Sequence, residues 1–422
     1  MKAVLSIFSP ISIRILGAAG NFFLLVVINT LYGPAMAGFL FVVSSTGYMI
    51  AQVSNIGLHR YIPFKIQVRR DEVEFEGIKM IGFITSSIPL ATALLMYASR
   101  NGELEQNPES MYFFAILFGA SASFNLICAD LLKARGRASL ALAIEATLLP
   151  AITALGVLTL NAIFKYSIDP IIFFISTSFL LMLLNACLPL GGNLFISLIL
   201  LKKTAASLIS ERRKLLTFWL SGIAIIFTSR ITGILAPLTM SAHDTGLFAT
   251  AIGFVSLGGT FVYASQAKLA PEFRRAFLSR SKILLVKYWI ISCALSVTLF
   301  SPILYLCVHH AIWIARVFGV EYTERYGAMI IILSAGQAIR MLAGNSEILL
   351  SMVEREGAEF CVIIASIIIF FCVLLLIPFD GPMAIAYCFA FMQASRGVLS
   401  ILVCLHVIRS IKWVPKDLVK ID

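Results

Sequence analysis

The chain has 422 residues, of which 59% are hydrophobic and 13% are charged, with a formal net charge of +11 and a mean hydropathy of +0.94. A water-soluble globule needs enough polar side chains to cover its surface, so this composition excludes one. The sequence therefore predicts an all-α polytopic membrane protein.

Twelve apolar runs are long enough to cross a bilayer, because a helix needs about 20 residues to span ~30 Å of hydrocarbon. The sixth run is longer than required, and the segment PLGG at 189–192 is expected to bend it or to end its regular part. In chain order the predicted spans are 10–31, 35–57, 78–98, 111–132, 138–162, 170–200, 215–237, 247–267, 284–308, 327–350, 360–379 and 382–405.

The charge of the loops alternates along the chain. The amino terminus, the even-numbered loops and the tail hold most of the 33 Lys and Arg residues. The opposite loops hold Arg100, Lys165, Arg316 and Arg325. By the positive-inside rule both termini are expected to be cytoplasmic. This alternation accounts for the basic net charge, so nucleic acid is not an expected partner.

Neither the amino terminus nor the cysteines suggest processing or metal chemistry. The first nine residues lead straight into a full-length span without a small-residue cleavage site, so the first helix is expected to be retained. All eight cysteines fall within predicted spans, without a CxxC pair or a His cluster. We expect packing residues, with no disulfide and no metal site.

The sequence repeats itself weakly at an offset of 208 residues. AGFLFVV at 37–43 aligns with TGLFATA at 245–251, and RYIPFK at 60–65 aligns with KLAPEF at 268–273. The aligned pairs are Gly38 with Gly246, Arg60 with Lys268 and Pro63 with Pro271.

This repeat predicts two pseudo-symmetric lobes of six helices each. The lobes would comprise residues 1–201 and 215–422, joined by a cytoplasmic linker at 202–214. Such a plan is typical of transporters whose halves rock around a site near the midplane of the membrane.

Polar residues recur on the second and eighth spans. Tyr48, Gln52 and Asn55 share one helix face at spacings of i, i+4 and i+7. At the offset of 208 the corresponding residues are Ser256, Thr260 and Tyr263. These stripes either line a central cavity that binds substrate or join helices by hydrogen bonds.

Four arginines lie inside the predicted spans, namely Arg14, Arg230, Arg340 and Arg396. Arg14 is about one turn from the cytoplasmic face and can snorkel to it. On insertion scales each arginine at a span centre costs ~2.5 to 3.5 kcal/mol. The three deep arginines must therefore be hydrated or paired.

The acids available to pair with them are few. Asp130, Glu145 and Glu347 all lie in the cytoplasmic halves of their spans, and Lys133 is one turn from Asp130. We do not expect these acids to neutralise Arg230.

The tenth span has one polar face. On a straight helix Arg340 and Glu347 are about 10 Å apart, too far for a direct pair. The arginines either line a hydrated cavity for an anion such as phosphate, or form buried structural pairs. Gln337 on this face is a further candidate for substrate binding. The residues of the face are Ser334, Gln337, Arg340, Gly344, Asn345 and Glu347.

Motifs for enzyme chemistry are missing from the sequence. It has no GxxxxGK[ST] loop for ATP, no HExxH pair and no loop long enough to form a catalytic domain. The expected function is transport, without a cofactor.

Two segments resemble the polysaccharide (O-antigen) flippases of the multidrug/oligosaccharidyl-lipid/polysaccharide (MOP) exporter superfamily. One is 14–63, from RILGAAGNFF to GLHRYIP, and the other is 315–359, with the turn FG-x-x-Y and the helix end LLSMVERE. Lipid II flippases of the superfamily usually have fourteen spans, two more than this chain.

The resemblance implies the MOP fold in the bacterial inner membrane and translocation of an undecaprenyl-diphosphate-linked oligosaccharide. Its implied partners are this substrate, membrane lipid, and the polysaccharide polymerase and chain-length machinery. The arginines would then meet the diphosphate and the polar stripes would meet the sugars.

Two alternatives remain open from the sequence. One is an ion-coupled exporter of small solutes or drugs, with Glu145 or Glu347 as the ion-coupling residue. The other is a membrane polysaccharide polymerase or ligase.

Overall fold

Each predicted span overlaps one or two α-helices in the computed structural model. The structure describes residues 2–58, 62, 72–99, 108–134, 137–164, 169–187, 204–206, 208–321, 323–377 and 381–411. No strand occurs in these residues. The prediction of an all-α membrane protein is confirmed.

The helices overlap the apolar runs, and several are longer than the predicted spans. The first part of the chain forms α1 (Lys2–Tyr32), α2 (Pro34–Ser54), α3 (Glu72–Ser99), α4 (Pro108–Ala134), α5 (Ala138–Leu142), α6 (Leu148–Phe164) and α7 (Pro170–Cys187). A π-helical turn, Ala143–Thr147, joins α5 to α6. The second part forms α8 (Arg212–Thr239), α9 (Ala242–Leu278), α10 (Lys282–His309), α11 (Ala311–Val317), α12 (Glu324–Leu342), α13 (Ser346–Met352), α14 (Glu356–Leu376) and α15 (Pro382–Ser410).

Gly-Pro pairs begin two of these helices. Gly33 has a φ of 83° and Gly381 a φ of 66°, and each precedes a proline at the first helical position. Glycine adopts positive φ without steric cost, and proline at the first position loses no helical hydrogen bond. The two pairs therefore separate one span from the next within a few residues.

Length and composition support a multi-pass membrane protein. Among the described residues, eight helices are long and apolar enough to cross a membrane, and the pair Ser139–Glu145 and Leu148–Ile163, bent by 52°, gives a ninth. Leu16–Tyr32 and Pro170–Ala186 are shorter apolar helices at two further predicted spans. The segment 189–192 lies outside the described residues, so its predicted bend stays a prediction.

The described chain divides into two compact units, each considered separately. In the unit of residues 16–246, α2 packs against α4 and α8, and α4 also packs against α3 and α7. In the unit of residues 1–15 and 247–422, α12 packs against α10 and α15, and α15 also packs against α14. These units are defined by contacts, and the predicted lobe boundary at 202–214 stays a prediction.

The aligned glycines of the internal repeat contact each other. A Cβ atom added to Gly38 would lie 2.7 Å from the backbone nitrogen of Gly246, and one added to Gly246 would overlap the carbonyl of Pro34. Both positions therefore require glycine. Both glycines lie within the unit of residues 16–246, and the predicted repeat stays a prediction.

The seven described cysteines are free thiols, four of them buried. In the described part of the chain no three His, Cys, Asp or Glu residues group as metal ligands would.

Candidate functional site

The most buried arginine of the described chain is held by a carboxylate. Arg396 lies in the middle of α15 and is 2% exposed. Its Nε donates to Oε1 of Glu347 at 2.5 Å and its Nη2 donates to Oε2 at 2.7 Å. This is the bidentate fork geometry that makes guanidinium and carboxylate pairs strong.

A second arginine shares the same carboxylate. Nη1 of Arg340 donates to Oε1 of Gln393 at 2.7 Å, and its Nη2 lies 3.5 Å from Oε2 of Glu347. The side chain of Arg340 is 18% exposed. We call Arg340, Glu347 and Arg396 the guanidinium cluster; it has two positive groups and one negative group.

Small residues bring the two helices of this cluster together. Gly336 on α12 lies against Ala390 on α15, and Gly397 on α15 lies against the backbone of Arg340. Close approach of this kind is typical of small residues at membrane helix contacts. It lets one turn of α15 present Gln393 to α12.

A break in the tenth span corrects the distance expected for a straight helix. The span is interrupted between α12 and α13, where Gly344 has a φ of 55°. The backbone N–H of Asn345 donates to Oγ of Ser292 at 2.7 Å, and Nδ2 of Asn345 donates to Oγ of Ser265 at 2.8 Å. Nη2 of Arg340 lies 3.5 Å from Oε2 of Glu347, so the expectation that these two residues are too far apart for a direct pair was wrong.

Other residues of the tenth span and its neighbours support this arrangement. Gln337 is buried, and its Nε2 faces Gly259 on α9. Trp289 on α10 donates through Nε1 to Oγ of Ser346, at 2.8 Å. Sequence reasoning missed Gln393, although it lies one turn before Arg396 on the same span.

In the other unit, an arginine stacks on a tyrosine. The guanidinium carbon of Arg230, which lies on α8, is 4.7 Å from the ring centroid of Tyr48 on α2. The tyrosine ring also meets Phe118 on α4 edge to face, at 5.2 Å. The stack places a cation against an aromatic face, where the ring quadrupole stabilises it.

The rest of the stripe on α2 is buried. Oγ of Ser123 on α4 donates to Oδ1 of Asn55, which joins the two helices as the helix-joining alternative expects. Gln52 is 1% exposed, and neither atom of its amide has a hydrogen-bond partner among the described residues. A role in substrate binding stays a prediction for Tyr48, Gln52 and Asn55.

Acidic groups dominate a further cluster in this unit. Nζ of Lys133 on α4 lies 2.9 Å from Oδ1 of Asp130 and 2.5 Å from Oε2 of Glu145. Glu145 lies in the π-helical turn, a feature that frequently occurs at functional sites. We call Asp130, Lys133 and Glu145 the carboxylate cluster; it has two negative groups and one positive group.

A small cavity adjoins the carboxylate cluster. Glu145, Tyr48, Asn125 and Ser178 are among the residues that line it, and its volume is about 20 Å³. That volume suits about one water molecule. Glu145 and Tyr48, whose ring contacts Arg230, therefore line the same cavity.

The second predicted stripe is less fully described. Ser256 is exposed and donates to the carbonyl of Gly253, and Thr260 is half-buried. The side chains of Tyr263 and Lys268, the side chain of Arg14, and residues 60 and 63 lie outside the described residues. The match between the two stripes stays a prediction.

Comparisons with known proteins identify the fold. Neither the models of protein families nor the curated proteins include a match to this sequence. Among solved structures, an inward-facing MATE family multidrug resistance transporter of the MOP superfamily aligns with a TM-score of 0.68 and 13% identity, over 96% of this chain and 98% of its own.

Two further structures agree. The MATE multidrug transporter DinF-BH aligns with a TM-score of 0.68 and 13% identity, over 95% of this chain and 94% of its own. A MOP superfamily transporter from Pyrococcus furiosus, described by the reverse polarity of its binding pocket, aligns with a TM-score of 0.58 and 11% identity over 96% of each chain. The chain therefore has the fold of the MOP superfamily transporters, with twelve helices in two lobes.

Proposed function

We propose that the chain is a flippase that moves an undecaprenyl-diphosphate-linked oligosaccharide from the cytoplasmic to the periplasmic leaflet of a bacterial inner membrane. The proposed lobes, 1–201 and 215–422, would give access to each side in turn, with both termini in the cytoplasm. The observation that carries the proposal is the guanidinium cluster, where two arginines within spans share one carboxylate.

A surplus of positive charge in a membrane interior has a physical meaning. A guanidinium cannot lose its proton there, so an unbalanced one is stabilised by water or by an arriving anion. A diphosphate offers several acceptor oxygens to the planar donors of arginine. The prenyl chain of such a substrate can stay in the lipid while the charged headgroup crosses.

The fold agrees with a role in export. The solved structures that share it are transporters, and two of them are described as multidrug transporters. These likenesses support membrane export in general. The lipid-linked oligosaccharide comes from the resemblance of residues 14–63 and 315–359 and from the arginines.

A second candidate is an ion-coupled exporter of small solutes or drugs. The carboxylate cluster favours it, because Asp130 and Glu145 share one ammonium group and Glu145 adjoins a cavity the size of a water molecule. A proton or small cation is attracted to two carboxylates held this close together by one ammonium group. In this candidate the arginines would be structural.

The test replaces the deep arginines singly in cells that depend on this chain for surface glycan. Arg230, Arg340 and Arg396 are each changed to Gln and to Lys, with Arg316→Gln as a control at an exposed arginine. A flippase defect traps lipid-linked repeat units in the cytoplasmic leaflet while the protein level stays normal.

Other outcomes identify other functions. A drug exporter would show altered drug susceptibility with intact glycan, and Glu145→Gln would impair it more than the arginine variants do. A polymerase or ligase would leave single repeat units on the periplasmic side. Normal glycan in every arginine variant would end the flippase proposal.

A further inference from the structure

We infer that Arg340 is the guanidinium that binds the phosphate groups of the substrate, and that Glu347 and Arg396 form a neutral pair that positions it. The inference rests on the proposed function and deepens it, because it divides the guanidinium cluster into one binding residue and two positioning residues.

Exposure separates the two arginines first. The side chain of Arg340 is 18% exposed, whereas that of Arg396 is 2% exposed. A ligand oxygen must come within about 3 Å of a guanidinium nitrogen to accept its hydrogen bond. Arg340 can therefore be approached from outside the protein, while Arg396 is covered by other atoms.

The contacts with Glu347 separate them further. Arg396 uses its Nε and Nη2 in two short hydrogen bonds, at 2.5 and 2.7 Å, to the two oxygens of the carboxylate. The approach of Arg340 to the same carboxylate is 3.5 Å, outside the usual range of a hydrogen bond. The carboxylate therefore belongs mainly to Arg396.

The short bond made by Arg340 is to a neutral group. Its Nη1 donates to the amide oxygen of Gln393 at 2.7 Å. An amide orients the guanidinium plane but does not cancel its charge. Gln393 is thus a third positioning residue, one turn from Arg396 on the same helix.

The backbone around Glu347 is built to hold it in place. The break at Gly344 is secured by hydrogen bonds from Asn345 to Ser292 and Ser265, which belong to two different helices. Trp289 secures the following residue, Ser346. Support of this kind fixes the direction from which the carboxylate faces Arg340.

The charges of the three residues predict how each substitution changes the net charge of the guanidinium cluster. Arg396 and Glu347 cancel, so the cluster keeps one positive charge, at Arg340. Removing the carboxylate charge leaves two positive charges, and removing Arg396 alone lets Glu347 pair with Arg340. Replacing both members of the pair restores a single positive charge at Arg340.

The experiment measures binding of inorganic pyrophosphate to the full-length protein, purified in detergent, by titration calorimetry. Arg340→Gln is expected to weaken binding about tenfold or more, since it removes charged hydrogen bonds to the ligand. Glu347→Gln is expected to tighten binding about threefold or more, because a like charge near the ligand is no longer present. A merely structural role for Glu347 would not increase affinity.

The double variant Glu347→Gln with Arg396→Gln separates binding from folding. It removes both charges of the buried pair, and its affinity is expected to fall less than that of Arg340→Gln, since the charge of Arg340 is kept and only the pair that positions it is lost. Arg316→Gln is the control for the loss of one positive charge elsewhere, and unfolding temperatures identify any variant that has not folded.

Several results would overturn the inference. One is a failure of the unmodified protein to bind pyrophosphate in the titration, and another is undiminished affinity in Arg340→Gln. An equal loss of affinity in Arg340→Gln and in the folded double variant would also overturn it. The flippase proposal is decided independently, by the leaflet in which lipid-linked repeat units accumulate in cells. If Arg340→Gln traps repeat units in cells but binds pyrophosphate as the unmodified protein does, the inference is refuted and the flippase proposal stands.

Discussion

The guanidinium cluster has two positive groups around one carboxylate, whereas the carboxylate cluster has two acids around one lysine. Each lies within one of the two compact units. Each also forms where a span departs from regular α-helix, at the break after α12 and at the π-helical turn before α6. The two clusters thus have opposite ratios of acidic to basic groups, and each lies at an irregular part of a span.

We expect the two clusters to attract different ligands. A surplus of guanidinium groups attracts anions, and a surplus of carboxylates attracts protons or small cations. A transporter that couples the movement of an anionic substrate to a cation needs both kinds of site.

The largest loss of stability is expected for Arg396→Gln, at about 3 kcal/mol. The change leaves Glu347 without its bidentate partner, and the loss stays at the lower end of the range for buried pairs because Arg340 can take up the carboxylate. Thermal unfolding in detergent measures it.

The double change of Arg396 and Glu347 to Gln is the matched control. Because it removes both charges, it is expected to cost about 1 kcal/mol or less relative to the unmodified protein. A double variant as unstable as the single variant would show that shape, and not charge, holds this site together.

A smaller loss, about 2 kcal/mol, is expected for Lys133→Met. It removes the ammonium group that Asp130 and Glu145 share. The loss is smaller than for Arg396 because the side chains of Lys133 and Glu145 are 25% and 23% exposed, so water screens the repulsion between the acids. Unfolding temperatures of the purified variant give the measurement.

Adding Glu145→Gln to this variant is expected to recover about half of the loss, since one of the two acids is neutralised. Lys133→Arg, which keeps the charge, should change stability little. If the double variant recovers no stability, repulsion between Asp130 and Glu145 does not cause the loss in Lys133→Met.

The helices were predictable because each span must provide about 20 apolar residues. The carboxylate that Arg340 and Arg396 share was not predicted from the sequence. A straight tenth helix separates Arg340 from Glu347 by about 10 Å along its axis, whereas in the structure the span breaks at Gly344 and Nη2 of Arg340 lies 3.5 Å from Oε2 of Glu347. The sequence Gly344-Asn345 is typical of a turn and is the local signal for a break in the tenth span.

The π-helical turn has no comparable signal. The residues Ala143 to Thr147, AIEAT, are ordinary helix formers. Ile144 in this turn belongs to a buried cluster with residues distant in the chain, Leu58 and Leu208 among them, and no local pattern predicts such contacts. The acids were identified from the sequence, but the lysine they share was recognised only as a neighbour of Asp130.

Gly344→Ala is expected to destabilise the protein by about 1.5 kcal/mol, because a residue with a Cβ is strained at positive φ. The added Cβ would also lie 2.7 Å from Oγ of Ser292, which accepts the N–H of Asn345. Unfolding temperature is the measurement. The control is Gly357→Ala, where a Cβ meets no atom within 4 Å and φ is not positive. Equal effects at the two glycines would contradict the role given to the break.

The smallest effect concerns the cation that adjoins the carboxylate cluster. Arg230 stacks on Tyr48, which lines the same cavity as Glu145. A double-mutant cycle with Tyr48→Leu and Arg230→Gln is expected to give a coupling energy of about 1 kcal/mol. Tyr48→Phe keeps the aromatic face and should retain most of this coupling. If Phe abolishes it as Leu does, the tyrosine hydroxyl and not the ring holds Arg230, and the cation belongs to the polar network of the carboxylate cluster.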